Sequence, residues 1–510
     1  MRTAARLLAA TLVACVVATF GTAPPAALAA GQFTNPVMDN QTNPWVTHHN
    51  GYYYAVTSVP GGASHIWIRK SATLDGLGGA AAVSVFAAPA GDHCCVIWAP
   101  ELHRIGNRWY IYYTAGSNNT THRLFVLEAT TTGDDPQAVT YADRGRILTG
   151  TGNVEDIDPT TFVAPDGDRY LLWAGTVDWG LELIYIAKMS DPVTLVLPAS
   201  VIVRPTLSWE RSQGWIVEAP QVLVHNGTVD VVYSAPGVGP LYSLGVAKNT
   251  DGDYTTESSW TKSATPVFAP DADVSGPGHN GFFVSPDGTE DWIVYHARNV
   301  PYDANPWTVR AQRFYWNADD TPNLGYPLST DYTIDAPSGE PGTGRPRGWQ
   351  TARAWQVGSA TAATSTGFGA SWAVAAPEGP ARGGDYTVSA TARWIANGTT
   401  DPVPIYGLRA LWQDSANWVG VFLDPTNRRL STVAKVGGVT SAWETTPLEG
   451  SFVFGSPHTL TVQKQGTTYR FHLDGSATPL QTRTFALSRG RPALATYDAQ
   501  AAFTDVTVTS

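Results

Sequence analysis

The chain has 510 residues, of which 43% are hydrophobic, 11% aromatic and only 15% charged, with 19 tryptophans and a net charge of −11. With 32 basic residues against 43 acidic ones and no basic cluster, it lacks the electrostatic footprint of a protein that binds nucleic acid or an anionic membrane surface. Its length exceeds one ordinary domain, so two are expected, each able to bury its own core.

In chain order, residues 1–29 read as a secretory signal. Arg2 and Arg6 form a basic region, Leu7 to Phe20 an apolar one, and Ala27-Leu28-Ala29 a small-residue cleavage site. The apolar run is too short to span a bilayer and none follows it, so the mature protein is expected to be exported, extracellular and monomeric. Cys15 leaves with the signal. Cys94 and Cys95 remain, and in an oxidising compartment adjacent cysteines either form a vicinal disulfide or stay as two small buried residues.

Residues 33–335 carry a repeat. Turns at Asn50-Gly51, Gly106-Asn107, Asp166-Gly167, Asn226-Gly227 and Asp287-Gly288 recur at intervals of about sixty residues. Each joins runs of aromatic and β-branched residues, such as GYYYAVTSV and NRWYIYYTA, which read as hairpins. Five such sheets predict an all-β, five-bladed β-propeller, whose inner strands line a central channel. Seven or eight residues before the turns stand Asn43, Asp158, Glu218 and His279, with Glu101 near the matching place in the second repeat.

Residues 336–347 are dense in Pro and Gly and read as a linker. From 348 to 510, segments such as DYTVSATARW, NWVGVFLD and TYRFHLDG alternate apolar and polar residues, which predicts an antiparallel β-sandwich.

Two carboxylates invite a chemical reading. Asp158 precedes a proline at the entry to an inner strand, and Glu218 follows Trp-Ile-Val and precedes Ala-Pro one blade later. Burial among apolar neighbours raises a carboxyl towards the range of a general acid, whereas structural ion pairing is the plainer alternative. Glycoside hydrolysis needs one protonated carboxyl to donate to the leaving oxygen and one carboxylate to activate water or attack carbon.

The phrases NPWVTHHNGYYY, HCCVIWAPELHRIGNRWYIYYTAG, IDPTTF, VEAPQVLVHNG, GPGHNGFFVSPDGTEDWIVYHAR and RAQRFYWNADDTPNLG resemble glycoside hydrolase family 43, especially its α-L-arabinofuranosidase-like members. The resemblance implies a five-bladed propeller and hydrolysis with inversion by an Asp base from blade one, an Asp modulator from blade three and a Glu acid from blade four. Glu218 would be the proton donor and Asp158 the modulator of its pKa. The base falls on Asn43, where the family pattern reads Asp-Pro-Trp, and an amide takes no proton from water.

Three readings follow: a sugar binder with little turnover, a base recruited elsewhere with Asp39 nearest, or an amide that only orients the water. The leading expectation is an exo-acting α-L-arabinofuranosidase on plant cell-wall arabinan or arabinoxylan. Its alternatives are a β-xylosidase, an endo-arabinanase or a carbohydrate-binding pseudoenzyme.

Trp45 and Trp98 adjoin channel motifs and are candidate sugar platforms. Arg310 resembles a family arginine near the substrate, although an arginine at a strand end is often a surface residue. His279 resembles a channel histidine near a metal or water cluster; no cofactor is required, and a calcium ion beside His279 is the one metal to test. The C-terminal region resembles laminin-G or concanavalin-like modules.

Overall fold

The computed structural model describes residues 31–510 except 92, 179, 342–347 and 353–354. The expected signal peptide and the second half of the linker therefore lie outside the described residues. Among those described, secondary structure consists of strands and four single-turn 3-10 helices. No helix there is long and apolar enough to cross a membrane.

Blade one runs Thr42–His49, Tyr52–Ser58, His65–Ser71 and Val83–Ala87, each strand pairing with the next from the channel outwards. Blades two, three and four repeat this order from Val96–Ile105, Glu155–Val163 and Glu218–His225. Blade five is built from Val274–Val284, Asp291–Asn299 and Thr308–Trp316, and its outermost strand is the N-terminal Met38–Asp39. The chain thus closes the ring by passing from the outer edge of blade five to the inner edge of blade one.

The second strand of each blade is apolar on both faces because a blade is packed between two others. In blade two, Trp109, Ile111, Tyr113 and Ala115 face a core shared with Tyr54 and Ile66 of blade one. Tyr110 and Tyr112, between them in sequence, face Leu171 and Trp173 of blade three. The two-residue period of a strand thus serves two cores at once.

The C-terminal region is a sandwich of a ten-stranded and a seven-stranded sheet. The larger sheet does not stop at the linker. Gln32–Thr34 pairs with Tyr332–Asp335, which pairs with Trp349–Ala352 of the sandwich. Phe33, Phe283 and Trp292 of the propeller share a core with Val374, Trp412 and Phe422 of the sandwich. Truncating a large aromatic in such a core costs about 3–5 kcal/mol, so the two regions are one packed unit rather than beads on a tether.

Candidate active site

Each inner strand is broken by a bulge, and the bulges define the channel. Asn43, Ala99, Asp158, Ala219 and His279 all adopt left-handed backbone, with φ of 49°, 43°, 55°, 49° and 44°. Pairing with the second strand slips at each of them. Asn, Asp and His tolerate this conformation better than most residues, and a bulge re-aims the side chains around it. The sequence expectation is corrected here: the matching positions in blades two and four are Ala99 and Ala219. Glu218 stands one residue before its bulge, and Glu101 two after, with His103 and Gln221 bonded to its carboxyl.

A ring of hydrogen bonds locks these bulges blade to blade. The N–H of Ala99 donates to Ser58 Oγ (2.8 Å), that of Asp158 to Thr114 Oγ1 (2.9 Å), that of His279 to Ser234 Oγ (2.9 Å) and that of Asn43 to His296 Nδ1 (3.2 Å). In blade three the matching second-strand residue is Ala174, opposite Ile157, which offers no acceptor. There Asp158 takes the role itself: its Oδ2 accepts from the N–H of Ala219 at 3.1 Å. The carboxylate of Asp158 is thereby fastened to the residue next to Glu218.

A cavity of about 260 Å³ opens over the ring, lined by Asn43, Trp98, Asp158, Glu218, His279 and Trp307 among others. Burial raises Glu218 to about 7, against the pull of the Tyr242 hydroxyl beside it. Burial first, and then the charge of Glu218, raise Asp158 well above the usual carboxylate range, while the Ala219 N–H works the other way. Glu182, buried nearby, is raised by burial and by the charges of Glu218 and Asp158. Carboxyls this close share protons as a group. The Ala219 N–H favours the charged form of Asp158, as the Tyr242 hydroxyl favours that of Glu218.

The opposite wall is uncharged. Burial lowers His279 to about 3, and burial with the neighbouring His279 and Arg298 lowers His296 further below its ordinary value, so both are neutral imidazoles near pH 7. Because Nδ1 of His296 accepts from Asn43, the ring proton resides on Nε2. Asn43 completes this wall.

Three expected site residues stand elsewhere. Asp39 is exposed on the outermost strand of blade five, opposite Thr308, a blade's width from the channel. Trp45 lies two residues past its bulge, where its Nε1–H donates to Leu102 O at 2.8 Å and its ring rests 4.5 Å from His103, so it seals blade one to blade two. Arg310 is fully buried and bonded to Thr308 Oγ1, Leu328 O and Asn299 Oδ1, inside blade five rather than in the cavity. Cys94 and Cys95 form the vicinal disulfide, just before the strand that carries Trp98.

Calcium takes six to eight oxygen ligands. Among the described residues no three His, Cys, Asp or Glu side chains converge to hold a metal ion, and the wall around His279 offers imidazole nitrogen instead. These residues do not fit calcium, and no step is derived through it.

The sequence profile of glycosyl hydrolases family 43 matches residues 33–322, which holds all five blades. The chain belongs to glycosyl hydrolases family 43. It is a hydrolase of O-glycosyl bonds. Among its relatives, an extracellular exo-α-(1→5)-L-arabinofuranosidase of Streptomyces avermitilis is 36% identical over 353 residues, 65% of this chain and 72% of that protein. α-L-Arabinofuranosidase B of Pyricularia oryzae is 35% identical over 58% of this chain and 63% of its own length. The crystal structure of an α-L-arabinofuranosidase from Lactobacillus brevis superposes with a TM-score of 0.55 at 35% identity, covering 58% of this chain and 98% of that one.

For this family 43 hydrolase, sequence reading missed His296 and Trp307 in the cavity, and Glu182 and Tyr242 around Glu218. His296 had a signal. Ser58, Thr114, Ala174 and Ser234 each stand seven residues after the second turn residue, and His296 eight after Gly288. Counting forwards from the turns would have found these acceptors, as counting backwards found the donors Asn43, Asp158 and His279.

Proposed function

We propose that this family 43 hydrolase is a secreted, exo-acting α-L-arabinofuranosidase that cleaves with inversion at arabinose-containing plant polysaccharide. The observation that carries the reading is the fastening of Asp158 to the backbone beside Glu218 within one small cavity. The identity to arabinofuranosidases and the extracellular relatives support the sugar and the location. Residues 1–29 agree with export.

In this reading Glu218 gives its proton to the leaving glycosidic oxygen as the C–O bond breaks, and Asp158, charged beside it, keeps that proton available near neutrality. Trp98 and Trp307 offer ring faces to the sugar. A water attacks the anomeric carbon from the side of Asn43. The Asn43 amide oxygen accepts a hydrogen bond from that water and orients it, but takes no proton, so the proton passes to solvent. Turnover is therefore slow compared with a site that holds a carboxylate there.

Asn43 also favours a second reading, a carbohydrate-binding protein whose hydrolysis has lapsed. One screen separates them: hydrolysis of aryl α-L-arabinofuranoside, aryl β-xyloside and linear arabinan by wild type and by Asn43→Asp. Turnover by wild type on the arabinoside supports the enzyme. Tight arabino-oligosaccharide binding with turnover only in Asn43→Asp supports the lapsed form, and preference for xyloside overturns the sugar assignment.

A further inference from the structure

Away from the propeller channel, the ten-stranded sheet of the sandwich carries a concavity of about 500 Å³ on its outer face. Its apolar lining is mainly aromatic, Trp372, Trp418, Trp443 and Tyr497, with Val403 and Ile405 beside them. Trp443 is 46% exposed, a large apolar surface left in water. Trp418 is only 3% exposed, yet its Nε1–H is buried with no hydrogen-bond acceptor among the described residues. A buried donor without an acceptor is costly, and here it lines an open site.

Behind these rings, the buried guanidinium of Arg409 is stacked 4.8 Å from Trp372 and 4.5 Å from Trp418, which fixes both indoles. The charged lining cancels. Asp424 is already bonded by Arg429 Nε at 2.8 Å, and Asp401 and Lys435 both line the same cavity. An anion would meet the aspartates and a cation would meet Arg429 and Lys435. What fits is a neutral molecule with apolar ring faces and hydroxyl groups that accept and donate hydrogen bonds.

A second cavity of about 420 Å³ shares Trp372, Ser415, Lys435 and Tyr497 with the first and reaches Asp273 of blade five. The Ser415 N–H donates to Asp273 Oδ2 at 2.9 Å across the junction. Asp273 immediately precedes the inner strand that carries His279, so the second cavity, which Asp273 lines, and the catalytic cavity are joined by one strand over on the order of 20 Å.

We infer that this groove is a second, non-catalytic binding site for a neutral saccharide chain, placed to hold polysaccharide at the same end of blade five as the active site. It stands independently of the proposed arabinofuranosidase reading, because it needs no turnover. The test is affinity electrophoresis of the full chain through gels containing soluble linear arabinan, arabinoxylan or heparin.

Wild type is expected to be slowed by a neutral polysaccharide and not by heparin. Trp443→Ala should weaken that retention at least tenfold, Trp443→Tyr should keep most of it, and Trp98→Ala, which strips the catalytic platform, should leave it in place. Hydrolysis of an aryl arabinofuranoside by Trp443→Ala should stay within twofold of wild type. The inference is overturned if neither neutral polysaccharide slows wild type, if heparin alone does, if Trp443→Ala migrates as wild type, or if Trp98→Ala removes the retention. A thermal melt establishes that the variants are folded. Should Trp443→Ala fail to fold, Lys435→Ala together with Thr440→Ala on the same rim takes its place, with the same outcomes deciding.

Discussion

The two walls of the catalytic cavity differ in kind. On the side of blades three and four, Asp158, Glu218 and Glu182 crowd together and all three are raised above the ordinary carboxylate range. On the side of blades five and one, His279 and His296 are held neutral and Asn43 carries no charge. The same five-fold ring of backbone bonds builds both. The difference teaches that the titratable wall and the neutral wall are set on separate blades; in the proposed reading the first gives a proton and the second faces the water, so one can change while the scaffold and the other wall persist.

The largest effect should come from the acidic wall. Glu218→Gln keeps the shape and removes the proton, and hydrolysis of a natural arabino-oligosaccharide should fall on the order of 10²- to 10⁴-fold. An aryl substrate with an acidic phenol needs less protonation and should lose less. Steady-state kinetics on both substrates measure this, and equal losses on the two would remove Glu218 from the donor role.

The neutral wall offers the converse experiment. Asn43→Asp should raise kcat on the order of 10²-fold while leaving oligosaccharide affinity nearly unchanged, because a base acts on water in the transition state. Asp39→Asn should do nothing, since Asp39 is on the far edge of blade five. Loss of activity in Asp39→Asn would mean that the entry strand moves into the channel. An inert Asn43→Asp would place the proton acceptor elsewhere on the wall.

A smaller effect, read as a shift rather than a rate, tests the link within the acidic wall. In the proposed reading Asp158 is charged beside Glu218, and its charge adds to burial in holding the Glu218 proton to higher pH. Asp158→Asn removes that charge, lowers the pKa of Glu218 and moves the basic limb of the kcat/KM profile to lower pH by about one unit. Stability gives the sign independently. A carboxyl raised from 4.5 to about 7 in the folded state costs stability as pH rises through that window, so Glu218→Gln should gain stability relative to wild type at pH 8 and not at pH 4.

Much of this arrangement is legible in the chain because the turns are local. A two-residue turn of the Asn-Gly kind needs only its own backbone, and counting back from each reaches Asn43, Asp158 and His279 directly. What defeats the count is the bulge. One extra residue reverses which face the next side chain takes, so Trp45 turns away from the channel into the seam with His103 although it follows the motif at once. Arg310 misleads for another reason: its three partners come from Thr308, Asn299 and Leu328, which only the folded blade brings together. The shared sheet between propeller and sandwich was invisible because Gln32 and Asp335 are three hundred residues apart.

Two tryptophans that look alike in sequence supply the smallest and sharpest contrast. Trp98 lines the cavity, and its ring is stacked 3.8 Å from His122, whose Nδ1 is bonded to Glu155 Oε1 at 2.8 Å, so the ring proposed as a sugar platform is held in place from behind. Trp45 has its indole N–H bound to Leu102 and is not among the residues lining that cavity. Trp98→Ala should therefore raise KM for an aryl arabinofuranoside about tenfold, the worth of one good ring contact, with little change in melting temperature. Trp45→Ala should leave KM alone and lower the melting temperature by several degrees, because it opens the seam between blades one and two. If the two variants exchanged these signatures, Trp45 would face the sugar, and the bulge at Asn43 would have to turn the strand the other way.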